Sequence, residues 1–273
     1  MNEYKLTKIL YQKNSPTNTG YVELVNYMGD DVITPVNAAR ASFGVEVDSL
    51  TERDKKLYKY CVREGHTSIL EHNTLTFAIK TPLFVARQHM RHRTWSYNEI
   101  SRRYTDKDLD FYMPVNFRQQ SKSNRQASIS GSEHNPVLHI IEGTTMNYDC
   151  KADKALQDHV SNSLQLYNQM IDAGVAREQA RMVLPQNLYT HYWATVNLNN
   201  FFKFCDLRIH EGAQEEIQDL AIACKELAAE VWPLTFSLYN LAKDEKKSSL
   251  ALSYFKSLDI QEKQNFIKTL QSL

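Results

Sequence analysis

Hydrophobic residues recur at two periods along the 273-residue chain. Alternation marks strands: Tyr21-Val22-Glu23-Leu24-Val25-Asn26-Tyr27 has it, and so do Leu75, Phe77 and Ile79 among polar or small neighbours. Met28-Gly29-Asp30-Asp31 turns the chain. Val32 to Ala41 then reads as a short helix ended by Ser42-Phe43-Gly44. Thr51 is placed as an N-cap, with Glu52 and Asp54 in the first turn, where negative charge suits the helix dipole. That helix shows Leu57, Tyr60 and Cys61 on one side and stops at Gly65. Thr81-Pro82 opens a helix predicted to run to about Arg93. Its spacing would put Gln88, Arg91 and His92 side by side, with Arg87 stacked on Arg91. Trp95 to Tyr104 reads as a loop able to wrap a ligand.

Further along, a helix through residues 154–170 ends at Gly174, and Arg177 to Leu184 is a short helix stopped by Pro185. Ile217, Leu220, Ala221, Cys224, Leu227, Ala228 and Val231 share one helical face, ended by Pro233; such a stripe is core or subunit packing. Asn14 to Gly20 and the polar stretch 119–128 read as loops, the second a mobile one. Residues 133–150 show no clear period, so 118–150 is taken as a variable insertion. The C-terminal tail, 243–273, is charged and then weakly amphipathic. No internal repeat is visible. The mixture predicts an α+β fold: one domain with a central, mostly antiparallel sheet flanked by helices.

Length allows one large domain or two small ones, at about 100–200 residues each, and either can bury a sizeable core. Lys and Arg balance Asp and Glu at 32 each. This balance argues against a generic nucleic-acid or membrane-surface binder, which carries a global basic excess. No apolar run approaches the roughly 18 residues that span a bilayer. Met1-Asn2-Glu3-Tyr4-Lys5 does not begin a secretory signal. Cys61, Cys150, Cys205 and Cys224 are widely spaced with no C-x-x-C pair, which reads as reduced, mostly buried thiols of a cytoplasmic protein.

Positive charge is instead local. Gln88-His89-Met90-Arg91-His92-Arg93-Thr94-Trp95-Ser96-Tyr97-Asn98-Glu99-Ile100-Ser101-Arg102-Arg103-Tyr104 has no Lys, and Glu99 is its only acid. Arginine suits planar, bidentate recognition of phosphate. The interspersed His, Ser, Asn and Glu suit a ligand with a phosphate and a polar ring. A surface helix followed by a basic loop is the competing reading of the residue types alone.

The order of these residues, Arg91-His92-Arg93 followed after seven positions by Ser101, resembles the signature of flavin-dependent thymidylate synthases, with Gln88 and Asn98-Glu99-x-Ser101-x-Arg103-Tyr104 completing it. Three more blocks resemble the same family in the same order. They are Gly65-His66-Thr67-Ser68-Ile69-Leu70-Glu71-His72, then Arg177 to Thr190, then Thr195-Val196-Asn197 with Asn200 to Arg208 and Ala213-Gln214-x-Glu216-Ile217. Together they cover most of residues 40–235.

The resemblance implies synthesis of dTMP from dUMP, with methylenetetrahydrofolate as carbon donor, FAD as hydride carrier and NADPH as reductant. It also implies a homotetramer with active sites at subunit interfaces, and neither nucleic acid nor membrane as partner. It places Gln88, Arg91, Glu99, Ser101, Arg103, Arg181 and Arg208 around dUMP. Around FAD it places His66, Ser68, Arg91, His92, Arg93, Glu99, Asn197 and Asn199, with His66 and Ser68 coming from a neighbouring subunit. Several arginines match a phosphate dianion, Ser101 adds a hydroxyl donor, and Glu99 can accept from a sugar hydroxyl. Arg208 is the cation that would stabilise charge at N3 and O2 of the uracil ring as electron density moves there, the catalytic role. Ser101 reads as a phosphate ligand; as a nucleophile it would need Glu99 or His92 as base.

No G-x-G-x-x-G opens a helix, so side chains rather than a Rossmann turn must grip the flavin. Asn199 stands where the family often has arginine, and Gly212 where histidine is common. His72, His89 and His191 read as structural. Neither H-E-x-x-H nor a His-Asp dipeptide occurs, so no metal is expected. The rival from another class is an RNA-binding module, with Arg91 to Arg103 on phosphates and Trp95, Tyr97 and Tyr104 stacked on bases.

Overall fold

A strand absent from these expectations, Tyr189–Asn197, sits near the middle of the main sheet in a computed structural model of the chain. Tyr192, Ala194 and Val196 are buried while Trp193 between them is half exposed. That is the alternation of a strand, written in aromatic and β-branched residues that favour the pleated surface. The structure describes residues 6–12, 15, 17–122, 128–129, 131–142 and 146–271.

In chain order the strands are β1 (Leu6–Ile9), β2 (Tyr21–Met28), β3 (Thr74–Pro82), β4 (Ser96–Glu99), β5 (Val137–Glu142), β6 (Met146–Lys151) and β7 (Tyr189–Asn197). The helices are α1 (Ile33–Arg40), α2 (Glu52–Glu64), α3 (Leu83–His89), α4 (Ala152–Asp172), α5 (Arg177–Ala180), α6 (Leu198–Arg208), α7 (Glu215–Val231), α8 (Pro233–Ser257) and α9 (Ile260–Gln271). They fall into two compact units: Met1–Met28 with Thr74–Ala228, and Gly29–Asn73 with Ala229–Leu273.

The first unit is built on a sheet of order β1-β2-β3-β7-β4, with every pairing antiparallel. Leu75, Phe77 and Ile79 of β3 are fully buried, as their alternation predicts. Phe77 stacks on Phe201 of α6 at 5.9 Å between ring centroids, which seats that helix on the sheet. A satellite core of Tyr167, Ala180, Leu184 and Leu188 joins α4 and α5 to the segment leading into β7. One expectation is corrected here. Ser96–Glu99 is a strand, not loop, because it adds to the edge of β7 with Ser96 opposite Thr195 and Glu99 opposite Tyr192. Val137–Glu142 and Met146–Lys151, which lie in the stretch without a clear period, pair antiparallel as β5 and β6. The centre of the expected mobile loop, 123–127, and residues 14 and 16 of the earlier loop lie outside the described residues.

In the second unit the Thr51 cap is realised as a capping box. Asp54 accepts from the Thr51 N–H at 2.9 Å, and its carboxyl is held down to about 2 by hydrogen bonds from Thr51 and then by Arg40. Gly65 ends α2 with φ of +81°, which glycine adopts without a Cβ penalty. Asp31 accepts from the N–H groups of Leu234 and Thr235 at 3.0 and 2.8 Å and so caps α8. The C-terminal tail is therefore helical over most of its length, in α8 and α9. Among the described residues no helix is long and apolar enough to cross a membrane.

Candidate active site

α3 ends at His89, not at Arg93, and the reason builds the site. A helix end leaves carbonyls without partners. Here side chains from elsewhere take them: Arg208 donates from Nη2 to the Gln88 carbonyl at 3.2 Å, and the Tyr97 hydroxyl donates to the His89 carbonyl at 2.9 Å. A cation at a helix C-terminus is also favoured by the dipole. Past Met90 the chain winds on in single turns, with His92 N–H to His89 carbonyl at 3.0 Å and Trp95 N–H to His92 carbonyl at 3.2 Å. Arg91, His92 and Arg93 thus sit in a turn, and the predicted helical stacking of Arg87 on Arg91 does not form; Arg87 Nε points to Gln186 instead.

The turn is anchored from below by His89, which is fully buried. Its Nδ1 lies 2.9 Å from the Tyr192 hydroxyl, and its ring sits edge-on to Trp95 at 4.5 Å. The structural role expected of this histidine is therefore observed. Burial, then the cost of a second charge beside the His92 ring and the Arg208 guanidinium, push its pKa down to about 3, so it is neutral.

Arg208, at the end of α6, reaches the same turn. Its Nε donates to His92 Nε2 at 3.0 Å. Burial and then the Arg208 charge bring His92 down to about 4. Burial, then the charge of Arg91, lowers the Arg208 pKa as well. Among the described residues Arg91, Arg93 and Arg208 have no ion-pair partner. Guanidinium groups that press on one another without a carboxylate form a site for an anion.

A second group lines a neighbouring cleft of about 400 Å³ walled by Leu83, Arg87, Glu99, Arg102, Arg181 and Leu184, among others. Glu99 accepts from Thr190 Oγ1 at 2.6 Å, which fixes its carboxylate at the rim. Arg181 Nε donates to the Glu178 carbonyl at 3.3 Å, and Arg103 Nε lies 3.8 Å from the Glu178 carboxylate. Arg103 and Arg181, far apart in sequence, therefore flank one residue. Ser101 Oγ accepts from the Arg103 N–H at 3.3 Å and has no basic partner among the described residues. Arg102, which the motif reading passed over, lines the cleft and donates to the carbonyls of Lys107, Asp108 and Tyr189. Its partners are backbone groups, so no residue-type pattern could have flagged it.

Of the remaining expected residues, Asn197 caps α6 through its side chain, accepting from Asn200 N–H at 3.0 Å. Asn199 is buried in the first turn of α6. His66 and Ser68 belong to the second unit and are exposed there, His66 lying edge-on to Tyr60 at 6.0 Å. Of the stacking residues of the RNA-binding rival, Trp95 is buried in the core and the Tyr97 hydroxyl is spent on backbone carbonyls, while Tyr104 is exposed. Among the described residues no cluster of His, Cys, Asp or Glu could hold a metal ion.

Known proteins match this chain across the same region. The profile of a family described as thymidylate synthase complementing protein matches residues 23–234. The flavin-dependent thymidylate synthase of Thermotoga neapolitana is 39% identical over 220 residues, covering 81% of this chain and 90% of its own. That of Thermus thermophilus is 40% identical over 221 residues, covering 81% of this chain and 76% of its own. Among solved structures, the UMP/dUMP methylase PolB from Streptomyces cacaoi, bound with 5-Br UMP, superposes with a TM-score of 0.66 at 29% identity, covering 81% of this chain and 93% of that one. Its complex with 5-Br dUMP matches with a TM-score of 0.65. The family profile and the relatives span both the basic turn and the distant arginine that caps it, and the chain belongs to the flavin-dependent thymidylate synthases.

Proposed function

We propose that this protein is a cytoplasmic enzyme that reductively methylates dUMP to dTMP, with methylenetetrahydrofolate as carbon donor and NADPH as reductant. The observation that carries the reading is the convergence of Arg208 on His92 and the Gln88 carbonyl, beside an Arg91 that has no counter-charge. The uncompensated arginines fit FAD, whose pyrophosphate would take Arg91 and Arg93, with His92 and Asn197 as further contacts. When bound, FAD supplies the hydride chemistry; the protein binds and orients it.

The residues of the chain do the rest. Ser101, Arg103 and Arg181 hold the nucleotide phosphate, and Gln88 and Glu99 add hydrogen bonds to the nucleotide. Arg208 presents a fixed positive charge to the uracil ring, where it stabilises negative charge that develops at N3 and O2. Its guanidinium is already oriented by His92 and the Gln88 carbonyl, so little reorganisation is needed as the charge forms. His66 and Ser68 complete the flavin site from a neighbouring subunit of a homotetramer.

The test is direct. Purified protein should be yellow, and its flavin absorbance should shift when dUMP is added. With dUMP, methylenetetrahydrofolate and NADPH it should form dTMP, measured by chromatography. Protein that cannot be loaded with FAD and forms no dTMP would defeat the reading.

A further inference from the structure

The block Ala213-Gln214-x-Glu216 has no part in the chemistry above, yet it ends in a buried carboxylate. Glu216 is 3% exposed. Burial by itself would raise its pKa, but the hydrogen bond and charge of Arg118 outweigh it and the carboxyl is held low, hence ionised. Arg118 Nη2 donates to Oε2 at 2.8 Å, the Tyr112 hydroxyl donates to Oε1 at 3.1 Å, and Gln214 Nε2 donates to Oε2 at 2.8 Å. On its other side Gln214 accepts, at Oε1, from Gln88 Nε2 at 2.5 Å. Gln88 also accepts from Arg208 through its backbone carbonyl.

The polarity of this chain of bonds is dictated by its inner end. An ionised carboxylate can only accept. Gln214 must therefore turn its NH2 group inward, which leaves its carbonyl facing Gln88. Gln88 must then spend an N–H on Gln214. Its carbonyl and its second N–H are left for other partners, in one orientation rather than two. A neutral or apolar residue at position 216 would impose no such order.

We propose that Glu216 and Gln214 are positioning residues for the nucleotide site: the buried carboxylate orients the Gln214 amide, and Gln214 orients the amide of Gln88. The proposal rests on the nucleotide-binding role given to Gln88 above. Neither residue touches the nucleotide; their effect passes through the direction in which Gln88 presents its donor and acceptor.

The experiment is a dUMP titration of the full-length, FAD-loaded protein, followed by flavin absorbance, beside steady-state kinetics. Q214A removes the intermediary from a half-buried position and leaves the Glu216–Arg118 pair in place. It should weaken dUMP binding by about tenfold, the scale of a lost hydrogen-bonded orientation. Flavin content should be unchanged, and turnover at saturating dUMP should stay within about threefold. The exchange variant Q214E/E216Q places the acceptor-only group next to Gln88 and keeps the same polarity there, so it should restore binding to within about threefold of the parent. Q214A binding dUMP as the parent does would overturn the relay alone. An exchange variant as weak as Q214A would reduce these side chains to packing. A parent protein that does not bind dUMP at all would overturn the function proposed above, and the relay with it.

Discussion

Arg208 donates from Nε to Nε2 of His92 across 3.0 Å, joining residues 116 positions apart in the chain. The acceptor nitrogen must be unprotonated, so the imidazole is neutral and carries its proton on Nδ1. The arginine charge is thereby aimed without being neutralised. A carboxylate in place of His92 would aim it equally well but would cancel the charge that a developing oxyanion needs.

Arg208→Ala should lower dTMP turnover by about 10²–10³, the usual cost of one charge-stabilising donor. Arg208→Lys should recover only part of this, because a flexible point charge cannot serve His92 and the Gln88 carbonyl with the geometry of a planar fork. FAD content and NADPH oxidation without dUMP should be nearly unchanged. A variant that makes dTMP at the parent rate would show that Arg208 acts only as a helix cap.

Acid should destabilise the protein early. His89 and His92 have folded pKa values of about 3 and about 4 against an ordinary 6.5. The unfolded chain binds protons at both rings below about pH 6.5 while the folded chain does not, so stability is complete above that pH and falls as pH drops toward 4. Urea midpoints across this range should decline, and His92→Gln should flatten part of the slope. A profile that stays level down to about pH 4.5 would show that the rings titrate normally in the fold.

Ser101→Ala should weaken dUMP binding by about 0.5–3 kcal/mol, the range for a neutral or charge-assisted hydrogen bond. Turnover should survive at saturating dUMP. The serine has an Arg103 N–H for a neighbour and no base among the described residues, which is poor activation for a nucleophile. Normal dUMP binding with no turnover at all would assign it the nucleophilic role instead.

Single replacement of Cys61, Cys150, Cys205 or Cys224 by Ser or Ala should leave turnover within about tenfold, apart from the stability losses of buried sites. All four are free thiols, and three are buried. Burial raises the pKa of Cys61, Cys205 and Cys224, which disfavours the reactive thiolate. A loss of several orders of magnitude in a folded, FAD-loaded variant would point to cysteine catalysis and against the flavin route.

The sequence by itself determined the elements whose signals are local. The Thr51 cap, the Gly65 stop, the alternation of Leu75, Phe77 and Ile79, and the buried face of α7 each follow from neighbouring residues obeying one period or one turn rule. It also named the arginine-rich motif, since the order of residue types needs no geometry. Tertiary structure decided what no window of sequence contains. α3 stops four residues early because Tyr97 and Arg208 satisfy its last carbonyls, and Ser96–Glu99 is a strand because β7 offers it an edge. Arg103 and Arg181 meet across Glu178, and Gln88 is steered by a carboxylate at position 216. Each of these depends on a hydrogen bond or charge supplied from far along the chain, and such partners come together only when the sheet and its helices have packed.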